Sequence, residues 1–333
     1  MQHRTSIALL CILGAAIPTV ADESSGPKSC RAKLVYSCAI TDVPEGAATI
    51  DLWMPAPSDA RGQVVHSAKV NYPAGGAIAT EQVYSNRIFH ARFTAPFDPE
   101  SLRAELEFEI ERTEVVVPEA TTMTVSGAVA DTAALAPYLA PNRLIPVDGR
   151  IDALAKELNL DSSNPIKIAR FLYDHLIDSM AYNWKAVGAG KGDVLWACDS
   201  KTGDCTDYNS LFLALCRNQG IPADHGFGFP IKGTQKSGII PFYHCWAQFY
   251  VEGAGWIPID PSEADKHPEL RDYNFGSQDA RLMKFSHGRD IVLVPPQQGE
   301  PINYFIHPYV EVDGKPSQAF KRTMTYEILA ETK

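Results

Sequence analysis

Residues 202–211, Thr-Gly-Asp-Cys-Thr-Asp-Tyr-Asn-Ser-Leu, place Cys205 where a loop enters a helix. The helix is predicted to start near Asp204 and to end by Gly220, because a proline follows that glycine two residues later. Free N–H groups at a helix N-terminus stabilise a thiolate and can receive an oxyanion that develops on a carbonyl. The polar neighbours of Cys205 argue against a structural cysteine, whereas Cys216 lies on the apolar face of the helix and fits that role.

A second stretch, residues 241–251, reads Pro-Phe-Tyr-His-Cys-Trp-Ala-Gln-Phe-Tyr-Val and predicts a strand. Alternation along the strand puts His244 and Trp246 on one face and Cys245 on the other. A strand histidine that meets a cysteine from another element can accept the thiol proton and later protonate a leaving amine. His244 is therefore a candidate general base.

The third stretch, residues 253–261, reads Gly-Ala-Gly-Trp-Ile-Pro-Ile-Asp-Pro and predicts the return strand of a hairpin. Its last carboxylate, Asp260, can accept a hydrogen bond from the far ring nitrogen of His244 and so fix the tautomer of that ring. On a strict ladder, a turn centred on Gly253-Ala254 places Asp260 opposite about Ala247 instead. A bulge or a shifted turn would bring Asp260 and His244 together, so the spacing leaves the pairing open.

In chain order, these stretches resemble the core of the transglutaminase-like superfamily. The resemblance covers residues 148–261 and rests on Gly-Asp-Cys at 203–205, Leu-Cys-Arg-Asn-Gln-Gly-Ile-Pro-Ala at 215–223, His-Cys-Trp-Ala at 244–247, and Gly-Trp-Ile-Pro-Ile-Asp-Pro at 255–261. It implies a papain-like triad in which Cys205 is the nucleophile, His244 the general base and Asp260 the orienting carboxylate.

The chain departs from the family pattern at two places. Where many members read Gly-Ile-Pro-Ala-Arg, this chain has Asp224 and His225, so no role of that arginine is carried over. Cys245 follows His244, where a small residue is more usual. No motif identifies an oxyanion side chain. The candidates for the oxyanion site or the pocket wall are the backbone N–H of Cys205 and the side chains of Trp184, Trp196 and Trp246.

The order of predicted elements favours an α+β fold. The chain has 333 residues, of which 45% are hydrophobic and 10% aromatic, enough for two domains of roughly 100–200 residues each. Residues 31–130 carry strand patterns and predict an antiparallel β-domain, with strands expected at 87–94, 102–113 and 121–125. Residues 131–310 predict a papain-like core in which a helix bundle packs on an antiparallel sheet, with helices expected at 148–158 and 164–180. Residues 311–333 are expected to form a C-terminal strand or tail.

The first 21 residues have the pattern of a signal peptide, and residues 22–30 that of an exposed linker. Arg4 precedes an apolar stretch at 6–16, and small residues at 18–21 predict cleavage near Ala21. The longest apolar run, residues 7–17, is shorter than the about 20 residues of a membrane span, so no transmembrane segment is expected. The mature protein is predicted to be exported to the periplasm or the medium.

The cysteine count predicts at least one free thiol besides the nucleophile. One of the seven cysteines, Cys11, leaves with the signal peptide, and Cys205 is assigned to chemistry. The remaining five are Cys30, Cys38, Cys198, Cys216 and Cys245. Because five cannot all pair within the chain, we expect Cys216 to stay a free, buried thiol.

Two other uses of the cysteines remain as alternatives. A disulfide between Cys198 and Cys205 would remove the nucleophile. A metal site could instead combine Cys198 and Cys205 with His244 and Cys245. The separation of seven residues between Cys198 and Cys205 is, however, wider than the usual spacing of zinc ligands. The expected chemistry needs no cofactor, and no run of Asp and Glu has the spacing of a calcium loop.

The expected reaction is acyl transfer on peptide or protein amide bonds through a thioester on Cys205. Resolution by water makes a peptidase or amidase, and resolution by a lysine-type amine makes a cross-linking transglutaminase. We expect hydrolysis, because water is always present and no sequence feature marks a tunnel for an amine. The alternative of another class is a non-catalytic binding or scaffold protein on an inactive core. The formal charge of −10 argues against nucleic acid as a partner, and the sequence leaves substrate identity and oligomeric state open.

Overall fold

The computed structural model describes residues 28–73, 75–117, 133–160 and 162–333. The expected signal peptide with its cleavage site near Ala21, and the strand expected at 121–125, lie outside the described residues. Within the described ranges the chain combines helices with mostly antiparallel sheets, which is the predicted α+β class. No helix in these ranges is both long enough and apolar enough to cross a membrane.

Three of the five α-helices in the described residues form where the sequence pattern predicts them. The five helices are α1 (Arg150–Glu157), α2 (Pro165–Ser179), α3 (Val194–Ser200), α4 (Cys205–Asn218) and α5 (Pro261–Lys266). Asn164 caps α2 as predicted, since its Oδ1 accepts the N–H of Ile166 at 2.9 Å and proline occupies the first helical position. The short helices α3, capped by Asp193, and α5, capped by Asp260, were not predicted.

The described residues contain eighteen strands, seven of which precede α1. In chain order they are β1 (Ser29–Ile40), β2 (Thr49–Ala56), β3 (Gln63–Tyr72), β4 (Ala77–Thr80), β5 (Arg87–Thr94), β6 (Arg103–Thr113), β7 (Val115–Val116), β8 (Ala181–Tyr182), β9 (Thr202–Gly203), β10 (Ala223–Pro230), β11 (Ser237–Ile239), β12 (His244–Val251), β13 (Gly255–Ile259), β14 (Ser277–Gln278), β15 (Leu282–His287), β16 (Tyr309–Val312), β17 (Lys315–Ser317) and β18 (Phe320–Thr332). The 3-10 turns are Pro99–Ser101, Ala133–Tyr138 and Pro268–Leu270.

The central sheet has the strand order β13-β12-β10-β15, and α4 packs on one of its faces. Alternate residues of β12 enter this core, where the Phe249 and Phe212 rings meet edge to face with centroids 6.2 Å apart. Full burial of such a side chain contributes about 1.5–3 kcal/mol. The opposite face of the sheet carries His244, Trp246 and Gln248, so packing of the apolar face decides which side chains are left for a site.

The N-terminal strands build two five-stranded sheets that the C-terminal strands complete. One sheet has the order β11-β18-β1-β6-β3 and the other β17-β16-β2-β5-β4. In β6 the even-numbered residues from Ala104 to Ile110 are buried, as the alternation predicts. β18 runs antiparallel to β1 from Ser29↔Thr332 to Ile40↔Phe320, so the C-terminal segment belongs to the N-terminal sheet. Nothing in the local pattern of β18 identified this partner.

Candidate active site

Cys205 is the first residue of α4, and the turn before it is held by two aspartates. Asp204 Oδ1 accepts the N–H of Thr206 at 2.7 Å, and Asp207 Oδ2 accepts the N–H of Asp204 at 2.9 Å. This reciprocal capping box fixes the entry of the chain into the helix. The thiol is therefore held at the N-terminal end of the helix dipole, where negative charge is favoured.

Asp207 also ties a glycine-rich loop to this helix end. Its carboxylate accepts the N–H groups of Gly190 and Gly192, each at 2.8 Å. Both glycines have positive φ, 84° and 62°, a conformation that glycine adopts without strain. The loop that follows β8 is thereby fixed beside Cys205.

His244 and Asp260 are hydrogen-bonded, with Nε2 of the ring 2.5 Å from Oδ2 of the carboxylate. The other oxygen of Asp260 accepts the Ser262 hydroxyl at 2.8 Å and the N–H of Glu263 at 2.9 Å. Both oxygens are thus engaged, and Asp260 serves as the N-cap of α5 as well as the partner of the ring. The orientation of this carboxylate is determined by the helix that begins after it.

The hairpin brings these two side chains together without a bulge. Ala247 pairs with Ile259, and Asp260 follows as the next residue after the strand. Continuing that register puts Asp260 across from Trp246, which makes His244 its diagonal neighbour on the same face. Diagonal neighbours are about 7–8 Å apart, within reach of two side chains. No bulge is needed, because the turn is centred on Gly253 rather than between Gly253 and Ala254, and this shift moves Asp260 to the face of the sheet that carries His244.

The charges of the cysteine and histidine are coupled. The pKa of the Cys205 thiol is lowered to about 6, chiefly by a hydrogen bond from the Cys245 thiol; burial opposes this shift, and the bond and charge of His244 add to it. The pKa of His244 is raised to about 10, because the charge and hydrogen bond of Asp260 outweigh the effect of burial, which favours the neutral ring. At neutral pH the two groups are a thiolate and an imidazolium.

Cys245 is a residue of the site whose role the sequence did not reveal. Its Sγ lies 3.6 Å from Thr206 Oγ1, and the Asn209 amide donates both to the Cys205 carbonyl at 2.8 Å and to the Cys245 carbonyl at 3.1 Å. Burial raises the pKa of Cys245, so this thiol keeps its proton and can donate it to the thiolate. Only its unusual position after His244 marked Cys245 in the sequence.

Glu263 is a second carboxylate near the ring. Its Oε1 lies 3.8 Å from His244 Nε2 and is also bonded by Lys266 Nζ. Although burial acts in the opposite direction, the charges of His244 and Lys266 lower the pKa of Glu263 to about 2. An aspartate followed three residues later by glutamate is a helix-start pattern, which would have indicated that both lie on one turn.

The three tryptophan candidates lie in different surroundings. Trp246 is 2% exposed and covers Gly226 of β10, where a Cβ would come within 2.4 Å of the indole. Trp184 is 61% exposed, with Lys185 Nζ 5.1 Å from its ring centroid. Trp196 lies on α3 and packs over Gly188. Of the three, Trp246 lines the cavity beside His244 and Asp260.

That cavity has a volume of about 400 Å³ and opens beside the histidine–aspartate pair. Its walls combine apolar side chains with Asn274, Glu263 and Asp279. A cavity of this size beside a basic ring can hold a few residues of a peptide.

All six cysteines in the described residues are free and buried. Cys216 is therefore a free, buried thiol, as predicted, and burial raises its pKa well above the ordinary value. The alternative of a disulfide between Cys198 and Cys205 is not realised.

Comparison with known proteins agrees with this architecture. Residues 152–261 match the profile of the transglutaminase-like superfamily core. An uncharacterised protein from Haemophilus influenzae is 28% identical over 313 residues, which cover 84% of this chain and 85% of that protein.

Two solved structures are similar to this chain. A candidate cysteine protease from Cytophaga hutchinsonii superposes with a TM-score of 0.58 at 15% identity, over 90% of this chain and 91% of that one, and shares its fold. The periplasmic domain of TgpA from Pseudomonas aeruginosa gives a TM-score of 0.37 at 16% identity, over 74% of this chain and 93% of that one. The profile match shows a transglutaminase-like core at residues 152–261, and the chain shares the fold of the first of these structures.

Proposed function

We propose that this chain is a thiol enzyme that transfers acyl groups from peptide or protein amide bonds, with Cys205 as nucleophile, His244 as general base and Asp260 as orienting carboxylate. The observation that carries the proposal is a helix-terminal thiol beside a ring whose far nitrogen bonds Asp260 at 2.5 Å. A free thiol is a weak nucleophile at neutral pH, and this arrangement supplies the thiolate.

The reaction proceeds in two steps. The Cys205 thiolate attacks the amide carbonyl carbon, and the C–N bond breaks as the His244 imidazolium gives its proton to the leaving amine. Water then attacks the thioester while His244 takes one of its protons, and the C–S bond breaks to release a carboxylic acid and the thiolate. Atoms and protons balance without a cofactor.

Asp260 determines which nitrogen of the His244 ring transfers the proton. Because Nε2 donates its proton to Asp260, the hydrogen bond between the ring and Cys205 is assigned to Nδ1, which carries the mobile proton. The negative carboxylate also stabilises the imidazolium. Backbone N–H groups at the start of α4 are the proposed oxyanion donors, and Trp246 is the proposed pocket wall.

We favour hydrolysis over cross-linking. The cavity beside His244 is partly open, so water can reach the ring that must deprotonate it. An amine that enters the same cavity would resolve the thioester in place of water and make the enzyme a transglutaminase. The balance between hydrolysis and cross-linking therefore depends on the relative access of water and amine to the thioester.

Purified mature protein incubated with a peptide library and a labelled amine tests this function. Mass spectrometry separates cleavage from deamidation and from amine incorporation, and Cys205→Ala is the control. We expect cleavage or deamidation that is lost in Cys205→Ala. Amine incorporation in place of hydrolysis would favour cross-linking, and absence of both turnover and thiol labelling would favour a scaffold.

Export belongs to the same proposal. The signal-peptide pattern supports a mature enzyme in the periplasm or the medium that begins near Asp22. N-terminal sequencing of protein recovered from each cell fraction tests this. Recovery of chain that retains residues 1–21 in the cytoplasm would contradict it.

A further inference from the structure

We propose that the cavity beside His244 continues into an anion-binding pocket, formed by Arg112 and Lys284, that holds a carboxylate on the leaving half of the substrate. This assignment rests on the proposed function for the direction of the substrate. The evidence for the pocket itself is independent of it.

The pocket is a small cavity of about 40 Å³ on the face of the central sheet that carries Trp246. Its charged lining residues are all cations: Arg61, Arg112 and Lys284. The amides of Gln248 and Gln278 and the rings of Trp246 and Trp256 complete much of the wall. A water needs about 10–15 Å³ of such volume, so the space fits a small group such as a carboxylate.

Arg112 is buried and Lys284 is half-buried, and neither forms an ion pair among the described residues. Arg112 is 1% exposed, and it donates to the Gln278 side chain and, at 3.3 Å, to the carbonyl of Asp279, which are uncharged acceptors. Across the part of the chain that the structure describes, no carboxylate oxygen lies within 4.0 Å of a side-chain nitrogen of Arg112 or Lys284. Burial lowers the pKa of Arg112 to about 10 and also lowers that of Lys284. An unpaired buried charge is costly, and a bound anion removes that cost.

The neighbouring carboxylates already have other partners. Asp224 Oδ2 is bonded by His287 Nδ1 at 2.7 Å and by Gln248 Nε2 at 3.1 Å. Asp279 Oδ1 accepts the backbone N–H of Arg281 at 2.5 Å. These aspartates favour the charged forms of Lys284 and Arg112 from a distance but do not pair with them.

The sheet register places Lys284 in line with His244. Gly228 of β10 pairs with His244 on one side and with Lys284 on the other, so all three share one face. Two strand spacings amount to about 9.5 Å, a distance that a few residues of an extended peptide can span. The small pocket and the larger cavity also share Trp246, Pro258 and Gln278 as lining residues.

This placement identifies which half of the substrate reaches the pocket. The leaving amine takes its proton from His244, so the group in the cavity on that side is the leaving half. A peptide spans about 3.3–3.6 Å per residue, which puts the carboxylate on the second or third residue after the cleaved bond.

Asn274 supplies a donor between the two ends. It is 8% exposed and lines the larger cavity, and its Nδ2 has no hydrogen-bond partner among the described residues. Its backbone carbonyl accepts the N–H of Asp260 at 2.9 Å, which holds the residue beside the catalytic pair. A buried amide of this kind is satisfied when a substrate carbonyl accepts from it.

The test uses leaving-half peptides as probes and the mature Cys205→Ala protein, which excludes turnover. Di- and trialanine are compared with their C-terminal amides by thermal shift and calorimetry. We expect the acids to bind at least tenfold more tightly than the amides, and we expect Lys284→Met to abolish this preference while Lys284→Arg retains it. The wild-type comparison of acid with amide stays decisive even if Lys284→Met does not fold.

Three outcomes overturn the proposal: equal binding of acids and amides, a preference unchanged in folded Lys284→Met, or equal stabilisation by acetate at the same concentration. Failure of the proposed function is detected separately. In that case Cys205 in the unmutated protein is not alkylated at neutral pH, whatever the peptides do.

Discussion

His244 Nε2 lies 2.5 Å from Asp260 Oδ2, although the two residues are diagonal rather than opposite across their hairpin. The contact forms because Asp260 is also the N-cap of α5, and its second oxygen is held by Ser262 and by the backbone of Glu263. The helix start thus aims the carboxylate along the diagonal.

Replacing the proposed nucleophile should remove activity and leave the fold intact. Cys205→Ala is expected to abolish turnover and rapid iodoacetamide labelling at neutral pH, because Cys205 is the cysteine whose pKa is lowered to about 6. Cys216→Ala is the matched control, since that thiol lies buried on the same helix. Mass spectrometry after alkylation measures both; unchanged labelling in Cys205→Ala would refute the assignment.

Asp260→Asn separates the electrostatic role of Asp260 from its capping role. Asparagine caps helices about as well as aspartate, so thermal stability should change little. The charge that raises the pKa of His244 is lost, and kcat/KM should fall by about 10²–10⁴. Turnover of a cleaved peptide and a circular-dichroism melt measure the two effects. Wild-type activity in this variant would contradict the role of Asp260.

The pH dependence of thiol alkylation should show a broad plateau. Cys205 must lose its proton, which occurs above about pH 6, and the imidazolium partner persists up to about pH 10. Turnover should therefore rise through the first value and fall through the second, since His244 must also donate a proton to the leaving amine. A profile that rises only near pH 9, the range of an ordinary thiol, would exclude the thiolate–imidazolium pair.

Cys245 should tune the nucleophile. Cys245→Ala removes the donor that contributes most to the lowered pKa of Cys205, so the acidic limb of the alkylation profile should move up by about one to two pH units. Cys245→Ser keeps a donor and should shift the limb less. If the acidic limb lies at the same pH in the wild type and in both variants, His244 and the helix dipole are sufficient to lower the pKa of Cys205.

Asp207 should matter chiefly for stability. Asp207→Ala leaves the N–H groups of Gly190, Gly192 and Asp204 without their acceptor, at about 1–3 kcal/mol for each group that stays buried. We expect the free energy of unfolding in urea to drop by about 2–5 kcal/mol and the glycine-rich loop to become protease-sensitive. As a control, Asp199→Ala removes an exposed ion pair and should change the free energy of unfolding by less than about 1 kcal/mol. An equal loss of stability in the two variants would show that the Asp207 carboxylate does not hold the glycine-rich loop in place.

Local patterns were sufficient to predict the elements that carry the proposed triad. Helical periodicity after Asp204, alternation through His244 and the glycine-containing turn before Asp260 are short-range features, and the helices and strands occur within a few residues of where these patterns place them. Such features can be predicted from the sequence because propensity, capping and alternation act over a few residues.

Only the tertiary structure determined which residues distant in sequence come into contact. Pairing of β1 with β18, approach of the Cys245 thiol to Cys205, and alignment of Lys284 with His244 across Gly228 all join residues distant in sequence. Their register depends on which faces are buried together, and no local pattern encodes that choice. The sequence by itself therefore determined the elements and the candidate residues. Packing of α4 on the central sheet determined the charge states, and the hairpin register together with the start of α5 determined the diagonal contact and the cavity beside it.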